Sequence, residues 1–289
     1  MKIISLFSGA GGLDLGFVKA GGNIIWANDY DKDAVKTYMQ NIGEHIILGD
    51  IRNISENDVP NGDAVIGGFP CLGFTVARGK VRKVDDPHNF LYLEFLRITK
   101  KVMPKYFLIE NVPGMTAGEE FKKFFQKMID DFTEAGYTVK YKILNAADYG
   151  VPQIRRRVII VGARKDEEYR FTFPEPSYSK FPEVTLGGKR LEKWITLKEA
   201  IGDLPESYDS KIPNHVGTAH KVKINGYVGN RPLSWDAPSP TIMGRGSKTG
   251  GPVIPPHPSL KRRLSVRETA RILIRKEWKI PWSSRIPEI

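Results

Sequence analysis

Over the first 165 residues, apolar positions fall into blocks of two alternating kinds. Short runs rich in Ile, Val, Leu and Phe cover residues 2–6, 23–28, 64–67, 106–110, 137–144 and 157–162, which predicts strands. Between them, residues 11–20, 31–41, 90–103 and 119–135 read as helices, 90–103 with apolar residues at helical spacing and 119–135 amphipathic and closed by Gly136. Residues 45–48 form one further short apolar block. This alternation predicts an α/β fold, a mostly parallel sheet with helices on both faces. After about Pro174 the texture changes. Proline and glycine become frequent, periodicity fades and basic residues gather, so Pro174-Glu175-Pro176 reads as a boundary.

At 289 residues there is room for one large domain, or one with a smaller companion. A single cysteine excludes an internal disulfide and fits a reducing compartment. The five histidines are scattered without ligand spacing, so no metal site is expected. The chain enters its first apolar block with no charged leader, and no apolar run reaches membrane-spanning length; a cytoplasmic protein is the expectation. The net charge of +11 is unevenly spread, +1 over residues 1–176 and +10 over residues 177–289. A well-solvated basic surface would explain the excess. A region facing a polyanion such as nucleic acid, attached to a nearly neutral catalytic domain, explains it better. The expected organisation is a catalytic and cofactor-binding domain over 1–176, a basic target-recognition domain over 177–259, and a hinge motif with a truncated or atypical C-terminal tail over 260–289.

The chemistry-bearing residues sit where strands end. Phe7-Ser8-Gly9-Ala10-Gly11-Gly12-Leu13-Asp14 hands the first strand to the first helix. Glycines there bring backbone N–H groups close to a ligand, and the helix N-terminus favours negative charge. Asp14 stands where the dinucleotide fingerprint needs its third glycine, which weakens a nicotinamide reading. Asn28-Asp29-Tyr30 ends the second strand with an acid suited to ribose hydroxyls, and Gly49-Asp50-Ile51 adds a second acid whose plainer reading is a turn or cap. The strand at 64–67 runs into Gly68-Phe69-Pro70-Cys71, which presents the lone thiol on a shaped loop at a strand's C-terminal edge. Alone, Cys71 would as readily be a small buried apolar residue.

Taken together these motifs closely resemble the cytosine-C5 DNA methyltransferases, in family order over residues 1–272. Residues 7–17 resemble the family's first motif, Phe69-Pro70-Cys71 its Pro-Cys nucleophile, Glu110-Asn111-Val112 its Glu-Asn-Val motif, and Gln153-Ile154-Arg155-Arg156-Arg157 its Gln-x-Arg-x-Arg motif. Arg262 to Arg271 resemble the motif after the recognition region. The resemblance implies a class I S-adenosylmethionine-dependent methyltransferase fold, Rossmann-like and mostly parallel, with a smaller, irregular target-recognition domain. It implies catalysis by Cys71, Glu110, Arg155 and Arg157, and cofactor binding by Phe7, Gly9, Gly11, Gly12, Asp29, Tyr30, Asp50, Ile51, Pro70 and Leu91. The thiolate of Cys71 would add to C6 of a flipped cytosine, with Glu110 at N3 and the exocyclic amine. Arg155 and Arg157, read as alternating on one strand, would share a face and hold the base and its phosphate.

The basic loop after Cys71, with Arg78, Lys80 and Arg82, resembles the family's DNA-closing loop; a plain surface loop is the alternative. Gln153, Arg231 and Arg245 complete the expected DNA contacts, with Lys221, Lys223 and Lys248 as phosphate contacts. The segment from Asn230 to Ile242 looks nearest to enzymes reading short GC-rich sites. Two departures stand out. Leu72 replaces the usual glutamine, and after Ile272 the closing Gly-Asn motif is missing, as in a truncation, a shifted frame or a split enzyme. The expected partners are double-stranded DNA and a separately encoded restriction endonuclease, with a monomer or a complementing C-terminal chain. RNA methylation and an inactive DNA-binding remnant are the competing functions.

Overall fold

The structure, a computed structural model, describes residues 1–70, 87–168, 171–182, 184, 187–188, 190–217, 222, 224, 230–242 and 254–274. Cys71, Leu72, Arg78, Lys80, Arg82, Lys221, Lys223, Arg245, Lys248 and the closing segment from 275 onward lie outside the described residues. The chain divides into two compact units. Unit 1 comprises Met1–Leu144 and Arg156–Phe173; unit 2 comprises Asn145–Arg155 and Pro174–Ile289.

Unit 1 is built on β1 (Lys2–Leu6), α1 (Gly12–Lys19), β2 (Asn23–Asp29), α2 (Lys32–Asn41), β3 (Ile46–Leu48), β4 (Ala64–Gly67), α3 (Tyr92–Val102), β5 (Tyr106–Asn111), α4 (Glu119–Glu134), β6 (Tyr137–Asn145) and β8 (Arg156–Arg164). The intervening β7 (Gln153–Ile154) belongs to unit 2. The seven-stranded sheet has the order β3-β2-β1-β4-β5-β8-β6. The pairs β1–β2, β1–β4, β2–β3 and β4–β5 are parallel, and β5–β8 is antiparallel. The sheet is thus mostly parallel, as its alternation with helices predicts.

Alternate residues show how both faces are covered. Along β1 and β4, Ile4, Leu6 and Val65 join one buried cluster with Phe95 and Ile98 of α3 and Phe125, Met128 and Phe132 of α4. Ile3, Ala64 and Ile66 join a second cluster with Leu13 and Phe17 of α1 and Val35 and Tyr38 of α2. Period-2 alternation along each strand places the two clusters on opposite faces, so the central strands are apolar at nearly every position. At ~1.5–3 kcal/mol for each large apolar side chain, the larger cluster is the main source of unit 1's stability. The helices start where their sequences direct. Asp31 caps α2 through the Asp33 and Ala34 amides, whereas α3 begins later than its pattern suggests because Pro87–Leu91 first forms a 3-10 turn.

Unit 2 is made of short pieces: β9 (Tyr178–Ser179), β10 (Glu192–Lys193), α5 (Leu197–Ile201), β11 (Ser239–Pro240) and α6 (Val266–Ile274). The pairs β7–β11 and β9–β10 are both parallel. Thr196 and Glu199 form a reciprocal capping box at α5. Among the described residues the unit's apolar cluster is small, gathering Leu197, Ala200, Ile201, Leu233, Ile242, Leu264 and Ile272.

One expectation fails here. Arg155 and Arg157 do not alternate along one strand. The chain breaks between β7 and β8 at Arg155, whose amide donates to Asn145 Oδ1 at 3.1 Å and whose carbonyl accepts from the Ala146 amide at 3.0 Å. Arg155 belongs to unit 2 and Arg157 to unit 1. Backbone bonds to the turn around Asn145 replace the sheet ladder at that point, a tertiary effect that local alternation cannot foresee.

Candidate active site

In unit 1 the C-terminal ends of β1, β2, β3, β4 and β5 lie on one edge of the parallel sheet, with β1 at the point where strand order reverses. Open α/β sheets bind ligands at such a place. The turn after β1 contains Phe7, Gly9 and Gly11 at φ 54°, 54° and 87°. For Phe7 this is a strained conformation, retained because neighbours fix it on both sides. The Ser8 amide donates to the Asn28 carbonyl at 3.0 Å, and the Gly9 amide to Asp29 Oδ2 at 2.7 Å. The ring of Phe7 stands edge-on to Phe69, centroids 6.3 Å apart. Gly11 caps α1 with no side-chain bond, leaving the first-turn N–H groups of a positive helix end without a side-chain partner.

Asp29 accepts from Gly9 through one carboxylate oxygen and from the Asp31 amide, at 2.8 Å, through the other. Asn28 donates to the carbonyls of Ile47 and Gly49 at 3.0 and 2.8 Å, tying the end of β2 to the end of β3. Tyr30 leaves its ring 69% exposed on the rim. Asp50 is a cap, as its plainer reading held: it begins a 3-10 turn over Ile51–Asn53 and ion-pairs with Arg52 at 2.5 Å. Hydrogen bonds from Arg52 hold its carboxyl below the usual range. It also lines a pocket with Phe7, Asn28, Tyr30, Gly49, Ile51, Arg52, Pro70 and Leu91. Six of these nine residues are ones singled out from sequence as cofactor contacts: Phe7, Tyr30, Asp50, Ile51, Pro70 and Leu91. Gly9, Gly11, Gly12 and Asp29 shape the adjoining turn.

At the next strand end, Glu110 is half-buried and paired with Arg157 of β8, Nε to Oε1 2.7 Å. A Cβ on Gly68 would meet Glu110 Oε2 at 3.1 Å, and one on Gly67 would meet the Leu6 carbonyl oxygen at 2.3 Å. Glycine at 67 lets β4 lie close against β1, and glycine at 68 lets the chain leave β4 close to Glu110. The neighbouring Asn111, 4% exposed, donates from Nδ2 to the Phe69 carbonyl at 3.1 Å and accepts from the Val112 amide at 2.8 Å. Asn111 thus fixes the backbone two residues before Cys71. Sequence reasoning quoted Glu-Asn-Val but gave a role only to its acid; a buried asparagine beside a loop that must be held was the available signal.

In unit 2, Gln153 is fully buried, and neither end of its amide has a hydrogen-bond partner among the described residues. Arg231 is exposed. Arg262 and Arg263, part of the basic excess, are not surface charges. Arg262 makes two 2.7 Å bonds to the buried Glu268 carboxylate and stacks over Tyr208, 4.9 Å from the ring centre. Arg263, 2% exposed, donates to the Ile254 carbonyl at 2.7 Å and to Asn230 Oδ1 at 2.9 Å. Among the described residues no group of three or more His, Cys, Asp or Glu could hold a metal ion, and no helix is long and apolar enough to cross a membrane.

Comparison with known proteins gives the family and the fold. Residues 1–282 match the family model described as C-5 cytosine-specific DNA methylase. The chain is 38% identical to the Type II methyltransferase M.MthTI of Methanothermobacter thermautotrophicus, covering 94% of this chain and 86% of that one. It is 39% identical to M.NgoPII of Neisseria gonorrhoeae over 94% and 84% of the two chains. Among solved structures, an E. coli prophage protein assigned to the DNA modification methyltransferases aligns with TM-score 0.70 at 25% identity, covering 94% of this chain and 88% of that one. The S. pombe Dnmt2 methyltransferase shares the fold with TM-score 0.67 at 20% identity, over 99% and 90% of the two chains.

Proposed function

The chain belongs to the C-5 cytosine-specific DNA methylase family and is a DNA cytosine-C5 methyltransferase of the Type II modification kind; we propose that it moves a methyl group from S-adenosylmethionine to a flipped cytosine through a covalent bond to Cys71. The observation that carries this reading is the convergence of strand ends in unit 1. A pocket bounded by Tyr30, Asp50, Ile51 and Pro70 lies at the ends of β2, β3 and β4, and Glu110 ends the strand next to β4.

The donor set fits S-adenosylmethionine, which supplies an electrophilic methyl group. The uncapped start of α1 and the amides beside Gly11 suit a carboxylate. The exposed ring of Tyr30 and the apolar Ile51 and Leu91 suit a purine. Asp29, its oxygens already holding the Gly9 and Asp31 amides, would meet ribose hydroxyls with its remaining lone pairs while keeping the turn in shape.

In the proposed reaction the Cys71 thiolate adds to C6, forming an S–C6 bond and making C5 nucleophilic. Glu110 would contact N3 and the exocyclic amine, supporting charge as it develops. Arg157 keeps that carboxylate in place. After C5 gains its methyl group, the C5 proton leaves to solvent and the S–C6 bond breaks, which restores both thiolate and aromatic ring. Arg155, Arg78, Lys80 and Arg82 would bind phosphate, while Arg231 and Arg245 would face the bases; Gln153, expected from sequence among the DNA contacts, has no exposed surface with which to make one.

Incubation with labelled S-adenosylmethionine, duplex DNA and tRNA tests this, with Cys71→Ser as control. Label on DNA that disappears in the variant is expected. Label on tRNA alone, or undiminished label with Cys71→Ser, would overturn the reading.

A further inference from the structure

Beneath the glycine turn lies a buried polar chain that neither ribose nor base chemistry uses. Asp14, in the first turn of α1, has no exposed surface. Its Oδ1 accepts from Ser5 Oγ at 2.7 Å and its Oδ2 from Tyr38 OH at 2.7 Å. Ser5 Oγ in turn lies 2.9 Å from Ser8 Oγ, which donates to it or to the Ser5 carbonyl at 3.1 Å. The Ser8 carbonyl accepts the Gly11 amide at 3.0 Å. At the far end His45 Nε2 stands 3.1 Å from Tyr38 OH. The phenol has one proton and gives it to the carboxylate, so His45 must be the donor, protonated at Nε2.

The arrangement is costly to keep. Burial pushes the Asp14 carboxyl above its ordinary pKa, opposed by the Ser5 and Tyr38 bonds and the nearby His45. The same contact explains a glycine. A Cβ on Gly11 would come 2.7 Å from Ile42 and 3.1 Å from the Tyr38 ring. Gly11 therefore lets α2 close on the turn, and Tyr38 then reaches under it. A single chain of bonds runs from β3's approach, through α2, to both limbs of the loop that carries Gly9 and Gly11.

We infer that Asp14, Tyr38 and His45 form a positioning network that holds the turn at residues 8–12, with the Ala10 and Gly12 amides on either side of Gly11, in the geometry that binds the cofactor. The inference rests on the S-adenosylmethionine reading above. The network touches no reacting atom, so its removal should weaken cofactor binding and leave the chemical step alone. The turn must otherwise be ordered at the moment of binding, and that entropy is subtracted from affinity. The fingerprint's third glycine is replaced by Asp14 for a physical reason: the acid pins from below what the glycine would have packed.

The test is Tyr38→Phe, which keeps the ring and removes the hydroxyl, with Asp14→Asn beside it and the surface substitution Thr37→Ala on the same helix as control. In cofactor-free protein, amide exchange at residues 8–13 should speed up by about tenfold in Tyr38→Phe and remain at the wild-type rate in Thr37→Ala. By calorimetric titration the Kd for S-adenosylhomocysteine should rise about five- to tenfold, with kcat at saturating cofactor within about twofold of wild type. Unchanged exchange in the turn, or a fall in kcat with no change in Kd, would overturn the network's role. Failure of the wild-type protein to bind S-adenosylhomocysteine would instead overturn the cofactor reading, and the exchange result would stand apart from it.

Discussion

The two units bury polar groups for opposite ends. In unit 1 the buried Asn28, Asp29 and Asn111 aim their side chains at backbone of the strand ends and the loops that follow them: Asn28 at Ile47 and Gly49, Asp29 at Gly9 and Asp31, Asn111 at Phe69. The fold is already secured by two apolar clusters, so these groups are free to shape the edge where ligands bind. Among the described residues of unit 2 the apolar cluster is small and the strands are two residues long. There the buried Glu268 and Arg263, with Arg262 and His215, hold the unit itself together. Glu268 receives Arg262 twice, the Ser265 amide at 2.7 Å, and lies 3.6 Å from His257. His215 bridges Ser265 Oγ at 2.9 Å to the carbonyls of Pro205 and Ser207 at 3.1 Å. Positive charge in a sequence is therefore of two kinds, and only some of the basic excess of residues 177–289 is at the surface.

The largest effect that would sharpen this contrast comes from Glu268→Ala. It strands a buried guanidinium and should cost about 3–5 kcal/mol, read as loss of amide protection in unit 2 with unit 1 protection unchanged. Equal loss in both units would break the comparison. The pH dependence has opposite signs in the two units. Desolvation raises the Glu268 pKa, but the Arg262 and Ser265 bonds outweigh it and the net shift is downward. Its contribution is complete above the unfolded carboxylate value, about 4.3, and is lost as pH falls through the lower native value. Asp14 is shifted upward, so its charged form costs stability at neutral pH and that cost is relieved as pH falls through the raised value. Exchange measured between pH 3 and 7 should show unit 2 loosening first on acidification.

A smaller effect is expected at the site. Asn111→Ala removes the donor that fixes the Phe69 carbonyl and should lower kcat by about 10- to 100-fold, with a stability loss of only about 1–3 kcal/mol. A large loss of stability with normal kcat in the surviving folded fraction would move Asn111 into the class that unit 2 exemplifies. Smaller still, Tyr30→Ala should raise KM for S-adenosylmethionine about five- to tenfold, the worth of one aromatic contact, and leave the Tm within a few degrees, because the ring is exposed. An unchanged KM would take the purine off that ring.

How much of this was legible depended on what fixed each element. Buried β1 and β4 were, because a strand covered on both faces is apolar at nearly every position, Lys2 and Ser5 of β1 being the departures. The turn after β1 and the glycines before Pro70 were, because Gly9 and Gly11 take positive φ and a Cβ on Gly67 would strike the Leu6 carbonyl oxygen. The break at Arg155 was not. It is made by Asn145, ten residues earlier, and alternation over Gln153–Arg157 carries no trace of it. Likewise β7 exists only through its pairing with Ser239–Pro240, 86 positions from Gln153 in the chain. The burial of Arg262 and Arg263 escaped notice because sequence records a charge but not its partner, and Glu268 sits on the far side of a turn. Asn111 was in view within Glu-Asn-Val, yet the more reactive neighbour drew the role.

The claim on which the account depends is a sulfur–carbon bond between Cys71 and the target base. A duplex carrying 5-fluorocytosine at a methylated position stops the reaction before release, since fluorine at C5 cannot leave as a proton does. After incubation with S-adenosylmethionine, peptide mass spectrometry should find the methylated fluorocytosine nucleotide attached to Cys71 and to no other residue. Normal methylation of unmodified DNA with no adduct on Cys71 from the fluorinated duplex would contradict the account.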